Sequence, residues 1–309
     1  MARRRRGRPL DGILVLDKPA GRSSNGALQA CRAIFGAAKA GHTGSLDPLA
    51  TGVLPICFGE ATKFSQFLLD ADKAYTATVV LGCRTTTGDA EGEVLAQTDS
   101  SAVTAAGLGR LLTEFVGDID QVPSMYSALK RQGRPLYELA RQGIEVERES
   151  RRISVYSLEL LAFRPGARAE ADLRVRCSKG TYIRSLAEDI GQVLGVGGHV
   201  AALRRTAAGP FEIDQATSLE TLQALKDADD LPRLDQLLLP IEQALPQLPM
   251  LTLGDTAGYF LLQGQAVQIP GAPVAGKVGL KLAVGRFVGV GEIRDDGRVA
   301  PRRLVSNVR

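Results

Sequence analysis

The residues with the clearest chemical potential lie in the segment GHTGSLDPLATG, at positions 41 to 52. It contains His42, one of only two histidines in the chain, and Asp47, which precedes a proline. A residue before proline is driven out of the α region, so the Asp47 carboxylate is expected on a turn or extended segment. An ionised carboxylate held near a cation can act as a nucleophile or a general base. The same position also suits an aspartate that only accepts hydrogen bonds from the amides of a tight turn.

Three other side chains could take part in chemistry, and each also has an ordinary structural explanation. His42 could be a titrating base, a metal ligand, a ring that stacks on a base, or simply an exposed loop residue. Tyr75 would belong to the core unless its hydroxyl faces a polar cleft. Arg184, in the first turn of a predicted helix, is disfavoured by the helix dipole. It is therefore expected either to pair with a carboxylate or to lie at the surface.

Hydrophobic periodicity predicts the elements that must hold these residues. A helix capped by Ser23 or Ser24 should end at Gly36, and Tyr75 should share the buried face of a strand with Ala77 and Val79. The other predicted elements are a strand at 13–16, a helix near 60–69, a helix through 108–115, a strand at 173–177, a helix through 183–194, short helices in 214–250, and short strands after 251 with an Asp-Gly hairpin at 296–297.

Length and composition describe a globular protein with an uneven charge distribution. A chain of 309 residues with 44% hydrophobic residues predicts one large or two unequal domains. No apolar run approaches the roughly 18 residues that span a bilayer, and no apolar stretch follows the basic N-terminus as in a secretory signal. The four cysteines without CxxC spacing indicate a reducing compartment, and their number with the two histidines argues against a zinc site.

Basic residues concentrate in two places. An N-terminal arm at 1–9 carries five arginines, and a second basic segment lies within 124–152. Such clusters attract polyanions, although a solvated tail and a solvated helix face have the same composition. The basic residues of the second segment that we single out are Lys130, Arg131, Arg134 and Arg141.

Five stretches, spread in order over nearly the whole chain, resemble the TruB family of tRNA pseudouridine synthases. They are GILVLDKPAGRSSN, AGHTGSLDPLATGVLPICFGEATKFSQFLLDADKAY, QVPSMYSALKRQGRPLYELARQGIEV, CSKGTYIRSLAEDIG and EIRDDGRVAPRRLV. The resemblance implies an α/β (α+β) fold of the bacterial type, with a mixed, largely antiparallel central sheet flanked by helices and loops. It implies a catalytic domain at 10–245 with a thumb-like insertion at about 124–152, and a small PUA β-barrel at 250–309.

The resemblance also implies an activity and a set of site residues. The reaction would isomerise uridine 55 of the tRNA T-loop to pseudouridine, without cofactor or metal. Asp47 matches the family's catalytic aspartate, acting at the sugar carbon or through a glycal. Arg184 matches the residue that pairs with it and would lower its pKa. Tyr75 matches the family's active-site tyrosine, with a catalytic role as well as one in stacking on the base. The other substrate-binding positions would be His42, Tyr182, Leu203 and Lys18, and Lys18 would support the site more than take part in the chemistry.

The expected partner is the T-arm stem-loop of tRNA, contacted by the basic residues of the insertion and by the PUA domain. We expect a cytoplasmic monomer that needs no membrane and no protein partner. Two alternatives stay open: a dyskerin-like, guide-RNA-dependent pseudouridine synthase with partner proteins, and a tRNA-binding folding chaperone. Neither the N-terminal arginines nor the 214–250 connector matches the family in more than general character.

Overall fold

A computed structural model describes residues 7–127 and 129–306 of the chain. Most of the predicted N-terminal arm, with four of its five arginines, therefore lies outside the described residues. The strands are β1 Gly12–Lys18, β2 Ala40–His42, β3 Thr51–Phe58, β4 Lys73–Leu81, β5 Cys83–Thr85, β6 Val94–Gln97, β7 Gly117–Gln121, β8 Lys130–Arg131, β9 Arg134–Pro135, β10 Arg151–Arg164, β11 Glu170–Cys177, β12 Gly198–Ala208, β13 Phe211–Glu212, β14 Thr217–Ser218, β15 Met250–Leu253, β16 Lys277–Leu282, β17 Phe287–Ile293 and β18 Val299–Leu304.

Helices cover part of the sheet surfaces and the connections between strands. The α-helices are α1 Ser24–Ile34, α2 Ser65–Leu69, α3 Ala105–Leu112, α4 Leu136–Ala140, α5 Ile183–Val193, α6 Leu219–Asp227, α7 Leu231–Gln236 and α8 Asp255–Leu262. Short 3-10 helices occupy Gly59–Phe64, Thr113–Phe115, Ile213–Gln215 and Ile241–Ala244. The single helix predicted near 60–69 is thus a 3-10 turn followed by the short helix α2.

A ten-stranded sheet forms the centre of the larger part of the molecule. Its main path runs β14-β1-β3-β12-β4-β11-β10-β7, with β2 beside β3 and β13 beside β12. Only the β1–β14 and β3–β12 pairs are parallel, so the sheet is mixed and largely antiparallel, as predicted. Along β4, buried and half-buried residues alternate, and Tyr75, Ala77 and Val79 share the buried face. This face packs into the main apolar core together with α1, α3, α5 and α6.

Helix α1 begins and ends where the sequence predicts. The Ser23 side chain accepts a hydrogen bond from the Gly26 amide at 3.0 Å and so caps the helix. Gly36 follows the helix with φ +59°, a left-handed conformation that glycine adopts without steric cost. Between these ends, Ala27, Leu28 and Cys31 are buried against the sheet.

Helix α5 carries Arg184 and lies unusually close to the turn that leads into β12. A Cβ atom on Gly191 would stand 2.2 Å from the carbonyl carbon of Gly197 and 2.3 Å from the amide nitrogen of Gly198. Only a residue without a side chain permits this approach, because both neighbouring atoms belong to the backbone. The glycine therefore fixes the separation between the helix and the sheet.

Gly191→Ala is expected to lower the free energy of unfolding by about 3 kcal/mol, because the backbone must shift to admit the methyl group. Chemical denaturation with a linear extrapolation measures the change. Gly109→Ala in α3 is the matched control, since a Cβ there would meet no atom within 4 Å. It should stabilise the protein by about 0.5–1 kcal/mol, and equal effects of the two variants would contradict the close packing of α5.

The C-terminal part is a smaller β domain. Its sheet runs β15-β16-β17-β18, and Val267 pairs with Val299 beyond β18. The predicted Asp-Gly hairpin joins β17 to β18, with the Gly297 amide bonded to the Arg294 carbonyl at 2.9 Å. The pairings within 250–306 confirm a small C-terminal β domain, and the closure of its sheet into a barrel stays a prediction.

The two parts share an apolar interface. The rings of Phe64 and Phe287 lie 5.4 Å apart between centroids, and Val290 packs into the same cluster as the inner residues of β1 and β3. The Lys63 ammonium donates to the Leu304 carbonyl at 3.0 Å. The C-terminal sheet is therefore anchored on the 3-10 and α2 segment that follows the GHTGSLDPLATG loop and β3.

None of the helices within 7–127 and 129–306 is long and apolar enough to span a membrane.

Candidate active site

A cavity of about 360 Å³ opens beside Asp47, within the range of about 300–1,000 Å³ typical of small-molecule sites. The loop after β2, the start of β4, the start of α5, the middle of β12 and the insertion before β10 all contribute to its wall. Asp47 is the single acidic side chain among the described residues that line it. The cavity thus brings together parts of the sequence that are far apart.

Several backbone contacts hold the loop that carries Asp47. The Ser24 hydroxyl accepts from the Leu46 amide at 2.7 Å and donates to the Leu46 carbonyl at 2.9 Å. On the other side, the buried Arg205 guanidinium donates to the Gly44 carbonyl at 3.0 Å. Lys18 donates to the Pro48 carbonyl at 3.3 Å. Residues on both sides of Asp47 are therefore fixed, which directs its side chain into the cavity.

Asp47 and Arg184 form a two-point ion pair. The Arg184 Nε lies 2.9 Å from Asp47 Oδ2, and Nη2 donates to Oδ1 at 3.3 Å. The arginine side chain is only 4% exposed, whereas that of Asp47 is 38% exposed toward the cavity. A bidentate guanidinium fixes the orientation of a carboxylate as well as its charge. The carboxylate consequently presents a defined face to the cavity.

Burial and Arg184 shift the pKa of Asp47 in opposite directions. Burial raises the pKa of Asp47 above its ordinary value, and this effect exceeds the lowering by the Arg184 guanidinium. The Asp89 carboxylate raises the pKa of Asp47 further. Arg184 therefore lowers the pKa of Asp47, as predicted, but the desolvation of the site outweighs the attraction between the charges and the net shift is upward.

Asp89 is a site residue that the sequence reasoning missed. It is 4% exposed, and its Oδ2 lies 3.7 Å from the Arg184 Nε. Its Oδ1 accepts from the Thr87 hydroxyl at 2.5 Å and from the Glu91 amide at 3.1 Å. The segment TTTGDAEGE at 85–93 has the composition of a turn, and its sequence gives no sign of which acid is buried. A buried acid opposite Arg184 also satisfies the expectation of an anionic partner.

Asp89→Asn is expected to lower the pKa of Asp47, because a neighbouring negative charge that favours the protonated carboxyl is removed. Titration of the side-chain carboxyl carbons by NMR measures this directly, and the Asp47 midpoint should move to lower pH. Asp99→Asn, at an exposed turn, is the matched control and should leave that midpoint in place. An unchanged or raised Asp47 midpoint in Asp89→Asn would contradict the assignment.

Arg184 also binds the first residues of the insertion. Its Nη2 donates to the Tyr126 carbonyl at 2.9 Å, and its Nη1 donates to the Thr87 carbonyl at 2.8 Å and to the Ser124 hydroxyl at 3.4 Å. One buried guanidinium therefore connects Asp47, the Thr87–Asp89 turn and the insertion. Neither the turn nor the insertion contact could be inferred from the sequence.

Tyr75, Tyr182 and Leu203 line the cavity around Asp47. Burial raises the pKa of the Tyr75 phenol, and the Arg205 guanidinium beside it opposes that rise. Burial also raises the pKa of Tyr182, whose amide donates to the Gln121 side chain at 2.8 Å. Both phenols therefore stay protonated near neutral pH and offer flat, partly apolar walls.

Lys18 and His42 lie behind the loop rather than in the cavity wall. Lys18 is fully buried and donates to the Pro19 carbonyl at 2.8 Å and the Arg22 carbonyl at 2.6 Å, in addition to Pro48. Burial lowers the pKa of Lys18 to about 8. His42 is half-buried, its Nδ1 has no hydrogen-bond partner, and burial lowers its pKa. These placements make Lys18 a support of the loop and leave His42 neutral beside it.

The four basic residues singled out in the insertion are all exposed: Lys130, Arg131, Arg134 and Arg141. Three of them contact only nearby parts of the insertion. Arg131 donates to the Glu147 carbonyl at 2.6 Å, Arg134 donates to the Gln142 side chain at 3.0 Å, and the Arg141 guanidinium lies 5.5 Å from the Tyr137 ring centre. The insertion, of which Ser127 and Leu129 line the cavity, thus presents cations to solvent. The described residues contain no group of three or more histidine, cysteine or acidic side chains placed to hold a metal ion.

Comparisons with known proteins agree over the whole length of the chain. The family described as "TruB family pseudouridylate synthase (N terminal domain)" matches residues 32–183, and two TruB C-terminal families match 184–246 and 249–305. A protein from Saccharophagus degradans named tRNA pseudouridine synthase B is 58% identical over 98% of each chain. One of the same name from Pseudomonas aeruginosa is 57% identical over 96% of this chain and 97% of its own.

Solved structures show the same fold. The protein in "Crystal Structure of a Cbf5-Nop10-Gar1 Complex" superimposes with a TM-score of 0.71 at 28% identity, covering 95% of this chain and 84% of its own. A chain in "Crystal structure of the archaeal box H/ACA sRNP Nop10-Cbf5 complex" gives a TM-score of 0.70 at 26% identity, covering 98% and 92%.

Proposed function

Because the chain belongs to the TruB family of pseudouridine synthases and isomerises uridine to pseudouridine in tRNA, we propose that it acts on uridine 55 of the T-loop through Asp47. The observation that carries the role of Asp47 is its position as the single acid in the cavity wall, held in two-point contact by Arg184. A carboxylate in this arrangement is oriented, partly desolvated and open to a ligand on one side.

The proposed reaction needs no group beyond the chain and the RNA. The bond between N1 of uracil and C1′ of the ribose breaks, the base turns, and a bond forms between C5 and C1′. The proton on C5 is lost and N1 gains one, so atoms and electrons balance. Asp47 acts either by adding to C1′ or through an elimination that gives a glycal. Arg184 keeps the carboxylate in the orientation that either route requires.

Tyr75, Tyr182 and Leu203 are proposed to hold the uracil after it leaves the T-loop. Moving a base out of its stack costs a few kcal/mol, and an aromatic surface can recover about 1–3 kcal/mol by stacking. Tyr75 offers such a surface beside Asp47, while Leu203 closes the apolar side. His42 and Lys18 act on the substrate indirectly in this proposal, through the loop that both residues contact or adjoin.

The insertion at about 124–152 and the C-terminal domain, which we propose is of the PUA type, provide the remaining RNA contacts. The insertion contributes Ser127 and Leu129 to the cavity wall and carries these exposed cations, so we propose that it contacts the stem of the T-arm. We propose that the chain acts as a monomer without an obligatory protein partner. The 54–58% identity to proteins named tRNA pseudouridine synthase B supports a tRNA substrate over the guide-RNA alternative, for which the neighbours are 25–28% identical.

Replacing Arg134 and Arg141 together by glutamine is expected to reduce the salt dependence of tRNA binding. Each lost phosphate contact lowers the slope of log K against log salt by about 0.7–0.9, so the double variant should lose about 1.5 from that slope. Equilibrium binding between low and high salt measures it. Arg168 and Arg233, exposed elsewhere, form the matched control pair, and an equal loss of slope in that pair would contradict insertion contacts.

The proposed target is tested by tritium release from 5-tritiated uridine in T-arm stem-loops. Release should occur with tritium at position 55 and not when the label is confined to the neighbouring position 54. Activity on the stem-loop without a second RNA or a partner protein supports the stand-alone form. A strict requirement for a second RNA would instead favour a guide-dependent enzyme.

A further inference from the structure

Ser127 holds a buried hydroxyl that makes no direct hydrogen bond in the free protein, although it lies near enough to the Tyr182 phenol to lower the pKa of that phenol. The residue is 3% exposed, and its Oγ has no hydrogen-bond partner. A buried hydroxyl without a partner costs about 1–3 kcal/mol, so each instance needs a physical reason. The surroundings of the Ser127 hydroxyl indicate such a reason.

Ser127 belongs to the cavity that holds Asp47. Within 7–127 and 129–306, five buried side-chain atoms lack a partner: His42 Nδ1, Thr43 Oγ1, Ser127 Oγ, Arg148 Nε and Asp235 Oδ1. Among these, Ser127 alone lines the cavity of Asp47, Tyr75 and Leu203. Two cationic wall groups are already engaged, Arg184 by Asp47 and Lys73 by the backbone carbonyls at the end of α2. The cavity wall therefore holds one buried hydroxyl that makes no direct hydrogen bond.

The backbone around Ser127 is fixed from both sides. Its carbonyl accepts from the Tyr137 amide at 3.1 Å, which joins it to α4 of the insertion. The preceding Tyr126 carbonyl accepts from Arg184. Met125 packs with Leu136 and Leu139 in a small core within the insertion. The hydroxyl is thus held at a set distance from the ion pair, and its place depends on the insertion being docked.

A uracil that leaves the T-loop brings unsatisfied polar atoms with it. Its two carbonyl oxygens lose their partners in the loop and in water when the base enters a partly apolar cavity. A serine hydroxyl carries one donor, which suits a carbonyl oxygen. The unmet donor of the protein and the unmet acceptors of the base are therefore complementary.

Resting on the proposed reaction, we propose that the Ser127 hydroxyl donates a hydrogen bond to a carbonyl oxygen of the flipped uracil. Ser127 is then a substrate-binding residue that the insertion supplies to the base pocket. The insertion consequently contacts the reacting base as well as the RNA backbone.

Ser127→Ala should lower kcat/KM on a uridine 55 stem-loop about tenfold, the effect of losing one hydrogen bond near the upper end of the usual range. Because the hydroxyl has no partner in the free protein, the same variant should keep or slightly raise the melting temperature. A purely structural hydrogen bond would lower it. Ser101→Ala, in an exposed turn, is the matched control and should match the wild type in both measurements.

Substrate analogues separate a direct contact from an indirect effect. Sulfur is a weaker hydrogen-bond acceptor than oxygen, so stem-loops with 2-thiouridine or 4-thiouridine at position 55 weaken one carbonyl each. The penalty of Ser127→Ala should nearly vanish on one of the two analogues and persist on the other. An equal penalty on uridine and both analogues, or no penalty on uridine, overturns the proposal. Failure of the wild type on the uridine stem-loop would instead overturn the proposed target, so the two failures are distinguishable.

Discussion

Asp47→Asn is expected to abolish pseudouridine formation, with single-turnover tritium release falling on the order of 10⁴-fold or more. Asparagine keeps the size of the side chain but carries no negative charge, so it can neither add to C1′ nor assist an elimination. The loop contacts through Leu46, Pro48 and Gly44 do not involve the Asp47 side chain and should persist. The affinity for tRNA should therefore remain close to that of the wild type.

The control for Asp47→Asn is Asp227→Asn, an equal change at an exposed position near the end of α6. Its rate and tRNA affinity should equal those of the wild type. Retained isomerisation in Asp47→Asn would remove the basis of the proposed mechanism. If the variant still refolds misfolded tRNA while isomerisation is lost, the chain has a chaperone role beside catalysis.

Arg184→Gln is expected to reduce kcat/KM on the order of 10³-fold, because Asp47 loses both its orientation and the nearby positive charge. The guanidinium lowers the pKa of Asp47 against the raising effect of burial, so its removal should raise that pKa further. The ionised fraction at a given pH then falls, and the acid limb of the pH–rate profile moves to higher pH. Single-turnover rates across the acid range measure both effects.

Two further variants sharpen the Arg184 prediction. Arg184→Lys keeps the charge but not the two-point geometry, so its acid limb should move less than that of Arg184→Gln while its rate still falls. Arg110→Gln, at an exposed position of α3, should change neither quantity. An acid limb in Arg184→Gln that stays in place, or moves to lower pH, would show that Arg184 does not act on the charge of Asp47.

The sequence predicts much of the architecture because the relevant signals are local. The cap at Ser23, the glycine after α1 and the alternation along β4 each depend on neighbouring residues, and all three are confirmed. The helix near 60–69 was only partly right, since periodicity does not distinguish a 3-10 turn from an α-helix over so few residues. The C-terminal β domain is confirmed, whereas closure of its sheet into a barrel stays a prediction, because closure depends on long-range pairing.

At the site too, the features that depend on long-range contacts could not be predicted from the sequence. The approach of Arg184 to Asp47 follows from the family resemblance, and the helix dipole independently indicates an anionic partner. The role of Asp89 was hidden because a turn-rich segment gives no sign of which carboxylate it buries. The sign of the pKa shift at Asp47 could not be predicted either, since it depends on how much water the folded chain excludes. The sequence could not indicate Ser127, because the hydrogen-bond partners of a hydroxyl depend on which residues surround it in the folded chain.

The ring contact between Phe64 and Phe287 has a consequence for how a long RNA is engaged. A flexible tether between two binding surfaces would lose freedom when both surfaces engage the same ligand, and this loss would weaken the complex. Here the central sheet, through β1, β3 and the 3-10 segment after β3, is already packed against the C-terminal sheet in a common apolar cluster. An RNA that spans both meets a preorganised template of fixed spacing, so the bending needed for a match falls mainly on the nucleic acid.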